Sequence, residues 1–117
     1  MASNYKPSKI CVALFGMTVL FSASSAMAAP DVEAAKALAK KNDCFKCHAE
    51  EKTKKGPSYK KIAEKYAGKP DAEAKLVKQM TSGPKVKLED GTEEDHKIIE
   101  TKDVNEQKNL AQWILSR

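Results

Sequence analysis

The sequence predicts a small all-α domain. Three observations carry that expectation: apolar residues return at helical spacing in four separate stretches, no stretch alternates apolar and polar residues as a half-buried strand does, and the chemistry-bearing side chains gather in one run, Cys44-Phe45-Lys46-Cys47-His48. A chain of 117 residues suffices for one domain, yet its apolar residues alone promise a thin core.

The chain begins with Lys6 and Lys9, an apolar stretch from Ile10 to Phe21, and small residues ending in Ala26-Met27-Ala28. This is the pattern of a secretory signal peptide over residues 1–28, cleaved after Ala28. Its apolar run is short for a bilayer span, so an uncleaved membrane anchor is the competing reading. Cys11 lies inside this leader, which leaves Cys44 and Cys47 as the cysteines of the domain, residues 29–117.

The first helix is expected over Asp31 to Lys41, with Val32, Ala35, Leu38 and Ala39 on one stripe, acidic residues at its start and Lys40 and Lys41 at its end. A second is expected over Pro57 to Ala67 on the stripe of Tyr59, Ile62, Ala63 and Tyr66, with Gly68 as its stop. Pro70 then opens a third, Asp71 to Thr81, whose Leu76, Val77 and Met80 share a face, and Gly83-Pro84 introduces a long loop to about Lys102. Asp103 with Glu106 forms a capping box for the last helix, where Leu110, Trp113 and Ile114 are the buried stripe.

Two cysteines three apart followed at once by histidine is the attachment signature of a c-type haem: each thiol adds to one vinyl group, and the adjacent imidazole is delivered to the iron. A dithiol redox site would need no histidine and belongs in a βαβ unit, which the sequence lacks. A zinc site needs four ligands, and beyond Cys44, Cys47 and His48 the one strong candidate is distant His96. One covalent haem c, with His48 as proximal ligand, also supplies the apolar disc around which short helices can pack, so the apoprotein is expected to be largely unfolded. The chemistry of that group is electron transfer without a catalytic residue.

The formal net charge is +5, and three of those charges remain once Lys6 and Lys9 are set aside. Nearly all are lysine, the sole arginine being Arg117, so the forked donors that read bases are missing and specific nucleic-acid binding is not expected. Lys46, Lys52, Lys54, Lys55, Lys60 and Lys61 cluster around the cysteines, whereas Glu89, Asp90, Glu93, Glu94 and Asp95 gather further on. Such asymmetry suits transient docking of redox protein partners, and an ordinary solvated surface is the alternative.

Beyond the haem motif, Gly56-Pro57, Tyr66-Ala67-Gly68-Lys69 and the terminal Asn109 to Ser116 segment make the whole of residues 29–117 resemble the small bacterial class I cytochromes c. The resemblance implies a compact fold of about four short helices wrapped around one haem, with the first and last helices crossing. It also implies a soluble periplasmic one-electron carrier, not an enzyme and not inserted in the membrane after signal cleavage. In that family the carbonyl matching Pro57 accepts a hydrogen bond from the proximal histidine and fixes its ring.

One departure is informative. Those cytochromes supply a distal methionine from the loop before the last helix, and here that loop holds none; it offers His96 instead. The expected axial pair is therefore His48 and His96, giving bis-histidine ligation and a lower potential than a methionine-ligated relative. Met80, the one methionine of residues 29–117, is the alternative ligand. An iron left open, or bound by water or by Lys85, Lys87 or Lys97, would make the protein a haem-based gas sensor or haem enzyme. Tyr59, Tyr66 and Trp113 are expected to pack, although a phenol or indole near the haem could bond a propionate.

Overall fold

The computed structural model describes residues 28–117. The leader expected over residues 1–28, with its Cys11, lies outside the described residues apart from Ala28. The four expected helices are present: α1 Val32–Lys41, α2 Tyr59–Tyr66, α3 Ala72–Ser82 and α4 Val104–Leu115, with a 3₁₀ turn over Cys44–Lys46. No helix among the described residues is long and apolar enough to cross a membrane.

Each boundary follows from local chemistry. Asp31 caps α1 by accepting from the Ala34 N–H at 3.0 Å, and Asn42 closes it, its Nδ2 donating to the Leu38 carbonyl at 2.9 Å. The second helix starts at Tyr59, two residues later than the proline suggested, because Ser58 is the residue that caps it. The expected capping box of α4 is relayed: Asp103 accepts from Asn105 and Glu106 N–H groups, but its own N–H donates to the Thr101 hydroxyl, which in turn donates to Glu106. Thr101 thus completes the ring that Glu106 alone was expected to close.

α4 is the centre of the domain. Leu110 and Trp113 are fully buried on it, and Ala35 and Ala39 of α1 meet Ala111 where the two helices cross. Small side chains there let the backbones approach. At the open end of that crossing Asn109 clasps Asp31 reciprocally, accepting its N–H at 2.8 Å and donating to its carbonyl at 2.8 Å.

Between α3 and α4, where an irregular loop was expected, lies a two-stranded antiparallel hairpin, β1 Lys85–Lys87 with β2 Glu93–Asp95. It puts Lys85 opposite Asp95, Val86 opposite Glu94 and Lys87 opposite Glu93, so opposite charges face each other across the ladder. Asp90 shapes the turn by accepting from the Thr92 N–H and hydroxyl. The strands are only three residues long and largely exposed, so they are too short and too charged to show the period of a half-buried strand. The fold remains all-α in its core.

Candidate functional site

Cys44, Cys47 and His48 stand on the turn that follows α1, created by left-handed Asp43 (φ 57°) and closed by the His48 N–H donating to the Cys44 carbonyl at 2.9 Å. Both cysteines are free thiols and half-buried; burial pushes the Cys44 thiol above its ordinary value. They border a cavity of about 630 Å³ that also receives His48, Tyr59, Met80 and His96, with Leu110 and Ile114 of α4 behind it. Its size and its mostly apolar walls suit a cofactor-sized guest.

The proximal ring is held on three sides. His48 Nδ1 lies 2.7 Å from the Pro57 carbonyl; a carbonyl can only accept, so Nδ1 carries the proton and Nε2 keeps its lone pair for a metal. Tyr59 stacks on the imidazole with centroids 5.5 Å apart and planes 21° apart. Gly56 closes the edge, since a Cβ there would sit 2.9 Å from His48 Cε1 and 3.2 Å from Nδ1. Burial holds the His48 pKa below its ordinary value, opposed by the Pro57 hydrogen bond and aided by His96. Neutral imidazole is the form that ligates.

His96 follows β2 directly and faces His48, ring centroid to ring centroid 6.1 Å, at 43° between planes. Its Nδ1 lies 2.9 Å from the Lys97 carbonyl, which frees Nε2 in the same way. An imidazole nitrogen binds a first-row metal at about 2 Å. Adding roughly 1 Å from nitrogen to ring centre on each side, two rings on opposite faces of one iron should have centroids about 6 Å apart. The separation found fits that requirement, and both cysteines border the same cavity.

Met80 also borders the cavity, but it is buried on the same face of α3 as Leu76 and belongs to the apolar core. Lys87 and Lys97 line the cavity; Lys85 pairs with Asp95 at 3.4 Å. Among the described residues no three His, Cys, Asp or Glu side chains come together as a metal cluster, so Cys44, Cys47 and His48 do not gather the set that zinc requires.

The aromatic residues divide. Tyr59 meets Phe45 and Trp113 edge-on, at 6.0 and 5.2 Å, and its buried phenol is pushed well above its ordinary pKa by desolvation. It is therefore both a packing residue and the stacking partner of His48, a role its helical stripe did not reveal. Trp113 lies away from the cavity wall, flanked by Lys36 and Arg117 over its ring; its Nε1 is buried without a partner. It packs.

The lysine cluster is partly engaged. Lys54 donates to the Phe45 carbonyl at 2.6 Å, Lys61 to the Thr53 hydroxyl at 2.8 Å, and Lys46 pairs with Asp43 at 3.2 Å. The acidic cluster is likewise met by Lys85 and Lys87 across the hairpin.

Gly56 and Gly83 each have a role their place in the sequence did not reveal: each is pressed against the segment that carries one imidazole. The signal was present: the chain's two Gly-Pro pairs are Gly56-Pro57 and Gly83-Pro84.

Comparison with known proteins identifies the family of this fold. The sequence model of the family described as Cytochrome c matches residues 32–117. The chain is 49% identical over 47 residues to cytochrome c2 of Rhodocyclus tenuis, a stretch covering 40% of this chain and 51% of that protein. With cytochrome c-552 of Nitrosomonas europaea it shares 43% identity over 63 residues, 54% of this chain and 61% of the relative. These alignments thus span less than two thirds of either relative. Among solved structures, the Class 1 cytochrome MtoD from Sideroxydans lithotrophicus ES-1 superposes with a TM-score of 0.72 at 61% identity, covering 75% of this chain and 97% of that one.

Proposed function

This chain belongs to the cytochrome c family, binding one covalent haem c, and from that premise we propose that it is a periplasmic one-electron carrier whose iron is held by His48 and His96. Thioether bonds to Cys44 and Cys47 and ligation by His48 are assigned on the family motif and the cavity they border. When bound, the haem supplies an iron that alternates between ferric and ferrous states. Export is proposed on the leader pattern of residues 1–28.

The observation that carries the bis-histidine assignment is the facing pair of imidazoles at 6.1 Å, each with Nδ1 turned to a backbone carbonyl. With each Nδ1 engaged by a carbonyl, each Nε2 is left with its lone pair for the iron. With both axial positions met by the chain's own side chains, no position is left for a substrate, which favours a carrier over a gas sensor or haem enzyme. A second imidazole donates more strongly than a thioether and stabilises the ferric state, so the potential should lie below that of methionine-ligated relatives.

The test is optical and low-temperature EPR spectroscopy of the haem-loaded protein and of His96→Ala. A low-spin wild type without a sulfur-to-iron charge-transfer band, turning high-spin in the variant, is expected. A methionine-type spectrum untouched by the substitution would move the ligand to Met80. A high-spin wild type that takes up carbon monoxide would return the open-site reading. Docking of acidic redox partners through Lys52, Lys55 and Lys60 is proposed on their exposure beside the site; reversing their charge should slow electron transfer at low salt, and unchanged rates would make them plain surface.

A further inference from the structure

We propose that the Gly83-Pro84 corner is the positioning element for His96, setting the angle at which its imidazole meets that of His48; the inference rests on His96 being a ligand. Nothing on the side chain of His96 fixes that angle alone, because its Nδ1 partner is the adjacent Lys97 carbonyl and moves with it. The backbone around it is what is held. The Pro84 carbonyl accepts the His96 N–H at 2.9 Å, and three residues on the Met80 carbonyl accepts the Ile99 N–H at 3.0 Å. Between these two anchors the segment is pressed onto Gly83, where a Cβ would come within 2.8 Å of Ile98 Cγ1, 3.0 Å of Cδ1 and 3.1 Å of the His96 carbonyl oxygen.

Gly83 serves two needs at once. It ends α3 in the left-handed conformation, φ 61°, and it leaves no side chain where the His96 backbone passes. Gly91, in the turn of the same hairpin, shares the first property without the second: its φ is 86°, and a Cβ there would meet nothing within 4 Å. The pair separates backbone strain from contact with the ligand segment. A Cβ at position 83 would displace Ile98 and crowd the His96 carbonyl oxygen, so the strain falls on the segment that carries the ring.

In a low-spin ferric centre with two imidazoles, the spread of the EPR g-values follows the angle between the ring planes. Asparagine tolerates the left-handed region, so Gly83→Asn and Gly91→Asn are compared in the haem-loaded protein, with His96→Ala alongside. Gly83→Asn is expected to shift the g-values and the reduction potential while the iron stays low-spin. Gly91→Asn should leave both as in wild type. If the two glycine variants give the same spectrum and potential while His96→Ala turns high-spin, the positioning role is overturned and the ligand assignment stands. If His96→Ala leaves the spectrum untouched, the ligand assignment itself fails and the inference falls with it. Should Gly83→Asn not incorporate haem, Ile98→Ala reads the same contact by removing it: shifted g-values support the role, and unaltered ones overturn it.

Discussion

The two imidazoles are served by matching sets of parts, a Gly-Pro pair and a backbone carbonyl on Nδ1, yet they are secured at very different ranges along the chain. His48 finds its parts within eleven residues: Pro57 takes its Nδ1 proton, Gly56 makes room for the ring and Tyr59 stacks on it. His96 depends on the end of α3 through Met80, Gly83 and Pro84. The segment beyond it is tied to the end of α1, where buried Asn42 accepts the Glu100 N–H at 2.9 Å. A ligand built from adjacent residues survives rearrangement elsewhere. One assembled from several elements reports on the packing of all of them, and local opening should begin on its side.

The largest effect should come from removing the anchor common to both sides. Cys44→Ser with Cys47→Ser is expected to abolish covalent haem and leave a largely unfolded chain, read by haem staining in denaturing gels and far-UV circular dichroism; a folded, haem-free domain would show that the helices stand without the cofactor. Next, Gly56→Ala forces a Cβ against the tightly held proximal ring and should cost about 1–3 kcal/mol in urea unfolding of the loaded protein, as overpacking does. A negligible cost would mean that the proximal side yields as readily as the distal one.

Asn42→Ala removes the side chain that joins the distal segment to α1, its hydrogen bonds to Leu38 and Glu100 together. With Asn42 only 1% exposed, the expected loss is about 2 kcal/mol. Hydrogen exchange should rise in the segment after His96 before it rises around His48, and equal acceleration on both sides would remove the distinction drawn here. The smallest effect belongs to Asp95→Asn, which breaks an exposed pair with Lys85. At most about 0.5 kcal/mol is expected, vanishing in high salt.

The same difference in range explains how far the sequence could be read. The four helices were legible because their stripes and caps are local, and the proximal site was legible because Cys44 to Pro57 is one short segment. His96 stood out by the lack of a methionine beside it, not by any pattern of its own. The hairpin was not legible: two three-residue strands, one basic around Val86 and one wholly acidic, are too short to carry an apolar period, and they are matched by facing charges and by a turn built on Asp90 and Thr92. Gly83 was read with Pro84 as the start of a loop because a Gly-Pro pair is visible in sequence, whereas the passage of Ile98 and His96 over it is a contact made across intervening strands. Tyr59 was read as core because its stripe on α2 shows that it is buried but not which ring it meets, that of His48 on the preceding turn.

The reciprocal hydrogen bonds between Asp31 and Asn109 join residues 78 apart along the chain, which bears on when the domain can close. Because α1 packs chiefly on α4, the domain closes only once residues far apart along the chain have met, and until then the Cys44 turn stands beside an unfinished wall. Weakening the clasp, as in Asn109→Ala, should therefore slow closure of the wall beside the thiols more than it perturbs the turn that carries them.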